Sequence, residues 1–104
     1  MNRIQVVNSI KQIAKESLPP NSKLLLYGSR ARGDARPDSD WDLLILLDKD
    51  RITLADIDEV SYPMRELGWR IDEVLNPVIY TFKEWESKNF TPFYKNVMEE
   101  GVAL

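Results

Sequence analysis

Gly28-Ser29 and Asp40-Trp41-Asp42 are the residues of this chain whose types and spacing suit chemistry. Gly28 closes an apolar run, Lys23–Tyr27, and Ser29 stands where a helix can begin. A glycine there lets the backbone turn sharply toward a ligand. The first N–H groups of a helix carry a partial positive charge that suits phosphate, and the Ser29 hydroxyl adds one more donor. Asp40 and Asp42 lie two apart at the mouth of a second apolar run, Leu43–Leu47. On a strand both point to one face, with Cα atoms roughly 6.5–7 Å apart. Carboxylates so spaced can converge on magnesium, which keeps its other positions for water and phosphate. Two such ions about 3.5–4 Å apart can activate an attacking oxygen and stabilise a leaving one. A phosphate-binding turn facing paired carboxylates is what nucleotidyl transfer needs.

Each part says less alone. Gly-Ser by itself is most often an ordinary strand-to-helix turn. An isolated Asp-x-Asp is more often solvated surface, and Asp34 and Asp38 crowd the same stretch. This pair, however, leads straight into a run that reads as a buried strand. Unpaired carboxylates there cost stability unless something compensates them, and a cation is the simplest answer. Gly28 and Gly33 have the spacing of a P-loop, but Asp34-Ala35 stand in the places of its Lys and Ser/Thr.

Composition removes several alternatives. The chain contains no histidine and no cysteine. Disulfides, thiolate nucleophiles, Ser-His pairs and His-bearing zinc sites are therefore excluded. Any catalysis runs on carboxylates, hydroxyls, Lys or Arg. At 104 residues, with 43% hydrophobic and 30% charged side chains, a single domain spanning residues 1–104 is expected. The net charge of −3 supplies no field for a polyanion, so direct nucleic-acid binding is not expected. Arg30, Arg32 and Arg36 form the only dense basic cluster, and acids interleave it. Met1-Asn2-Arg3-Ile4 lacks an apolar signal core, and Leu43–Leu47 is too short to span a bilayer. No membrane association and a cytoplasmic location are expected.

The elements that must position these residues follow from periodicity. Val7, Ile10, Ala14 and Leu18 recur at helical spacing over residues 3–18, and Pro19-Pro20 stops that helix. Lys23–Tyr27 and Leu43–Leu47 are continuous aliphatic runs, the pattern of central strands covered on both faces. Leu54, Ile57, Val60, Met64 and Leu67 predict a helix opened by Thr53 with Asp56 in a capping arrangement. Pro63 is expected to kink or split it, and Gly68 to end it. Trp69–Tyr80 then reads as extended, with Pro77 on an edge strand or at a bulge. Thr81-x-x-Glu84 opens a short helix to about Lys88. Thr91-Pro92 opens the last one, ended by Gly101, with Phe93 and Val97, and Tyr94 and Met98, packing it down. The order α-β-α-β-α-β-α predicts an α/β (α+β) domain with a small mixed sheet flanked by helices.

Gly28-Ser29, ten residues, then Asp40-Trp41-Asp42 resembles the signature of the DNA polymerase β-like nucleotidyltransferase superfamily. The fuller string GSRARGDARPDSDWDLLI is similar to its smallest branch, the minimal nucleotidyltransferase (MNT) domains, as is the ending TPFYKNVMEEGVAL. The resemblance covers nearly the whole chain. It implies the polymerase β-like nucleotidyltransferase fold, with Gly28 and Ser29 on the β- and γ-phosphates of a nucleoside triphosphate, ATP as donor, and two Mg2+ ions on Asp40 and Asp42. An acceptor hydroxyl then attacks the α-phosphorus in line and pyrophosphate leaves. Arg30 or Arg32 could help neutralise the triphosphate.

The resemblance also implies a third carboxylate on a later strand. Asp72, within Arg70-Ile71-Asp72-Glu73-Val74, has a suitable flanking pattern, whereas counting back from Thr81 places Asn76 there. The two share strand parity, and an amide is neither an anionic ligand nor a base. Asp72 is favoured slightly as the third catalytic and metal-binding acid. MNT proteins pair with HEPN-domain toxins, so the resemblance implies an antitoxin that transfers AMP to its partner. The alternative is a catalytically silent module that neutralises the partner by contact alone.

Overall fold

The run Trp41–Leu47 determines how the molecule is layered. The protein is described by a computed structural model covering every residue, Met1–Leu104. Strand β1 spans Lys23–Tyr27, β2 Trp41–Leu47, β3 Leu75–Thr81 and β4 Val102–Ala103. They form one mixed sheet in the order β3-β2-β1-β4. β1 pairs antiparallel with β2 and β4, and β2 pairs parallel with β3. The two continuous aliphatic runs are therefore the two central strands, as their composition requires. Pro77 lies on the edge strand β3, where its missing N–H removes no ladder bond from a central strand.

Alternate residues of β2 divide between two cores. Trp41, Leu43, Ile45 and Leu47 join Leu24, Leu26 and Leu75 beneath helix α1 (Arg3–Ser17) and helix α3 (Leu54–Ile71), whose Val6, Ile10, Val60, Met64 and Leu67 complete the larger cluster. Leu44 and Leu46 face the other way, against Trp85 of α4 (Phe82–Glu86) and Val97 of α5 (Pro92–Glu100). The fifth helix, α2, is the short turn Ser29–Arg32. Asn2, Thr53 and Thr81 each complete a capping box. No helix is long and apolar enough to cross a membrane.

Several expectations change. Helix α3 is continuous from Leu54 to Ile71 with Pro63 inside it, and Gly68 does not end it. Gly68 instead admits the returning chain. A Cβ there would stand 2.6 Å from the Glu73 carbonyl oxygen, and Glu73 N–H bonds the Gly68 carbonyl at 2.9 Å. Residues 69–71 are thus helical, not extended, and β3 begins only at Leu75. Leu54 and Ile57, expected on the buried stripe, are exposed, and α3 enters the larger core only from Val60. Met98 is likewise exposed, while Val97 carries the packing of α5. Strand β4 had no periodicity to announce it, being two residues long.

Candidate active site

Strand directions bring the site together. Because β1 and β2 are antiparallel, the last residue of β1, Tyr27, lies opposite Asp42 near the start of β2. Because β2 and β3 are parallel, Asn76 near the start of β3 lies on the other side of Asp42. Gly28, Asp42 and Asn76 therefore meet at one edge of the sheet, on the face covered by α4 and α5. Asp40 immediately precedes β2 and is exposed; Asp42 is half-buried. Trp41, between them, is buried on the opposite face, in the larger core.

Gly28 carries the tightest constraint. Its φ of 74° with ψ of −158° lies in a region essentially closed to residues with a side chain. Independently, a Cβ there would stand 2.5 Å from Asp42 Oδ2. The turn and the carboxylate are in contact, and only glycine permits it. The Gly28 carbonyl accepts from Ala31 and Arg32 N–H at 3.0 Å each, starting α2 at Ser29. The leading N–H groups of a helix have no intrahelical acceptor, and in α2 those belong to Ser29 and Arg30.

The two arginines have different tasks. Arg30 stacks over the Trp41 ring at 4.5 Å. It donates through Nε (3.3 Å) and Nη2 (2.9 Å) to the Ser39 carbonyl and through Nη2 to that of Pro37 (3.2 Å). Glu73 lies 3.8 Å from Nη2 and accepts from Trp41 Nε1 at 3.1 Å. The guanidinium is thus committed to fastening the loop that carries Asp40. Arg32 remains nearer the solvent, paired with Asp34 and Glu100. Those two carboxylates, Glu100 first, raise its pKa. Glu100 Oε1 also accepts from Gly28 N–H at 3.1 Å. No local sequence signal marks Glu100 as part of the site, because it arrives from the far end of the chain.

Asp72 is not a strand residue. It is the left-handed C-cap of α3, with φ 57° and ψ 45°, and the argument from shared strand parity with Asn76 does not hold. No three acidic side chains gather into a metal cluster. Asn76 takes the position beside Asp42, its Nδ2 donating to Asp42 Oδ1 at 3.3 Å. Asp40 and Asp42 supply oxygen donors alone. That set suits a hard cation bound through one or two carboxylates, with phosphate and water filling the remaining positions. Tyr27, across from Asp42, has its phenol pushed up to about 12, by burial first and then by the charge of Asp42. It stays a neutral, edge-packed ring against Phe93 at 5.6 Å.

The sequence and the fold have counterparts among known proteins. A family model described as a nucleotidyltransferase domain matches residues 7–104. A candidate protein adenylyltransferase of Methanocaldococcus jannaschii, MJ0604, is 31% identical over 100 residues, covering 96% of this chain and 91% of its own. The fold superposes on a toxin–antitoxin crystal structure with AMP-PNP at a TM-score of 0.67, 18% identity, 99% of this chain and 72% of that one. A mutant of the MntA–HpeT toxin–antitoxin gives 0.64 and 15% identity, over 99% of this chain and 71% of that one. Since the family match spans nearly the whole sequence, the chain is a nucleotidyltransferase, a member of the nucleotidyltransferase domain family.

Proposed function

We propose that this nucleotidyltransferase moves AMP from ATP, with magnesium, to a hydroxyl on a HEPN-domain partner protein and so acts as the antitoxin of a cytoplasmic pair. The observation that carries the reading is the contact between Gly28 and Asp42, since a phosphate seated on the turn lies beside the carboxylate. Gly28 and Ser29 bind the β- and γ-phosphates, Arg32 faces their charge, and Arg30 steadies the loop that presents Asp40. The acceptor hydroxyl gives its proton to solvent as its oxygen bonds to the α-phosphorus, and the bond to the bridging oxygen breaks, releasing pyrophosphate. Asp40 and Asp42 would hold magnesium, which supplies neutralisation of the phosphate charge and of the leaving oxygen. The M. jannaschii relative, named for adenylyl transfer to protein, supports the reaction class, and the toxin–antitoxin neighbours support a toxin as partner.

One observation favours a second reading. Asn76 stands beside Asp42 where the resemblance implies an acid, so that position lacks an anionic base. A module that neutralises its partner by contact alone would tolerate that. Calorimetric titration of ATP with and without magnesium, into the intact chain and an Asp40→Asn/Asp42→Asn variant, tests the site. Binding that needs magnesium and is lost in the variant is expected; no binding by the intact chain overturns the enzymatic reading. Labelled AMP appearing on the partner separates the two functions. Neutralisation by the double variant without transfer favours contact alone.

A further inference from the structure

Glu100, the last residue of α5, reaches back across the chain to the turn after β1. Its Oε1 accepts from Gly28 N–H at 3.1 Å, and Arg32 Nη1 donates to Oε1 at 3.3 Å and to Oε2 at 3.1 Å. The Glu100 side chain is 22% exposed and that of Arg32 46%, so the carboxylate is the inner partner. Two donors of the turn thus converge on one anion, as they would on a phosphate oxygen. The position is otherwise a poor one for an acid. The last turn of α5 contains no basic residue, and its helix dipole disfavours negative charge there. The Gly28 and Arg32 donors offset that penalty.

We propose that Glu100 is an internal competitor for the phosphate turn, a carboxylate that a nucleotide's phosphates must displace from Gly28 and Arg32. The inference rests on reading Gly28-Ser29 as the phosphate turn. One N–H cannot serve a carboxylate and a phosphate oxygen at full strength, and two anions crowded on it repel each other. Glu100 therefore acts as a specificity determinant. Weakly charged phosphate esters fail to dislodge it, whereas a triphosphate does. Displacement is felt at once along the chain, because Gly101 follows directly and Val102 of β4 pairs with Leu26 of β1.

The test is calorimetric titration of inorganic tripolyphosphate and of Mg·ATP into the intact chain and Glu100→Gln. The amide keeps the shape and an acceptor for Gly28 N–H while removing the charge. Both ligands are expected to bind the variant about five- to tenfold more tightly, the scale of one net hydrogen bond. Unchanged or weaker binding to the variant, with normal binding to the intact chain, overturns the competitor role and leaves the phosphate turn standing. Binding of neither ligand to either protein overturns the turn itself, and the competitor with it. Should Glu100→Gln lose its cooperative melt, amide resonances of the intact chain decide. Tripolyphosphate must shift Gly28 and residues 100–103 together, and a shift at Gly28 alone overturns the proposal.

Discussion

Asn76 decides how much negative charge this site can concentrate. It faces Asp42 across the β2–β3 pair and donates to it, so the amide partly satisfies the carboxylate. Asn76→Asp replaces that donor with a like charge directly opposite, which costs roughly 0.5–1 kcal/mol across a strand pair. The thermal midpoint is then expected to fall by about 2–6 °C without divalent cation. Millimolar magnesium should restore it, because two facing acids bind the ion more strongly than one acid and one amide. Differential scanning fluorimetry across a magnesium series checks this. A variant indifferent to magnesium would show that Asp42 does not face a cation site. Glu100 and Arg30 teach a related lesson. Glu100 carries no signal in sequence and Arg30 reads there as a triphosphate partner, yet one reaches Gly28 and the other clasps the backbone of residues 37–39.

At the scale of elements, helix α3 is held at its start by a polar knot. Thr53 and Asp56 exchange the two bonds of a capping box, and Lys49 donates to the same Asp56 carboxylate. Lys49, then the Thr53 backbone, holds Asp56 below its ordinary 3.8. Because the unfolded chain takes up that proton at higher pH, the contribution is whole above 3.8 and is lost as the pH falls through the lowered value. Lys49→Met removes the leading cause. Its melting temperature should therefore decline less steeply with acid than that of the intact chain, measured by circular dichroism across the acid range. Parallel declines would show that Lys49 contributes nothing to the cap. The other end of α3 is governed by packing. Local signals pointed to a stop at Gly68, yet the helix runs to Ile71 because glycine lets the Glu73 backbone fold back against it.

At the scale of the molecule, one sheet separates two unequal cores. The larger lies under α1 and α3, and the smaller lies under α4 and α5 on the face of the site. Leu43, fully buried in the larger core, bears on both central strands. Leu43→Ala should cost about 2–5 kcal/mol, a large fraction of the roughly 5–15 kcal/mol that holds a domain together. Urea denaturation followed by tryptophan fluorescence measures it. A cost below about 1 kcal/mol would mean that this layer collapses freely around the gap. Placing the site on the thinner layer puts Asp42, Tyr27 and Asn76 near solvent while their neighbours on the same strands stay dry.

What the sequence determined by itself was local. Aliphatic runs marked β1 and β2; periodicity marked α1, a capping box α4, and periodicity with caps α5 and the start of α3. The Gly-Ser turn with Asp40 and Asp42 carried the family. Those signals survive because each depends on neighbours within a turn or a strand. Tertiary structure alone decided which residue stands third beside Asp42, where α3 ends, that Arg30 fastens a loop, and that Glu100 occupies the turn. Each of these is a contact between segments far apart in the chain. Strand direction and register set them, and a side chain's type does not record which distant partner the fold will bring to it.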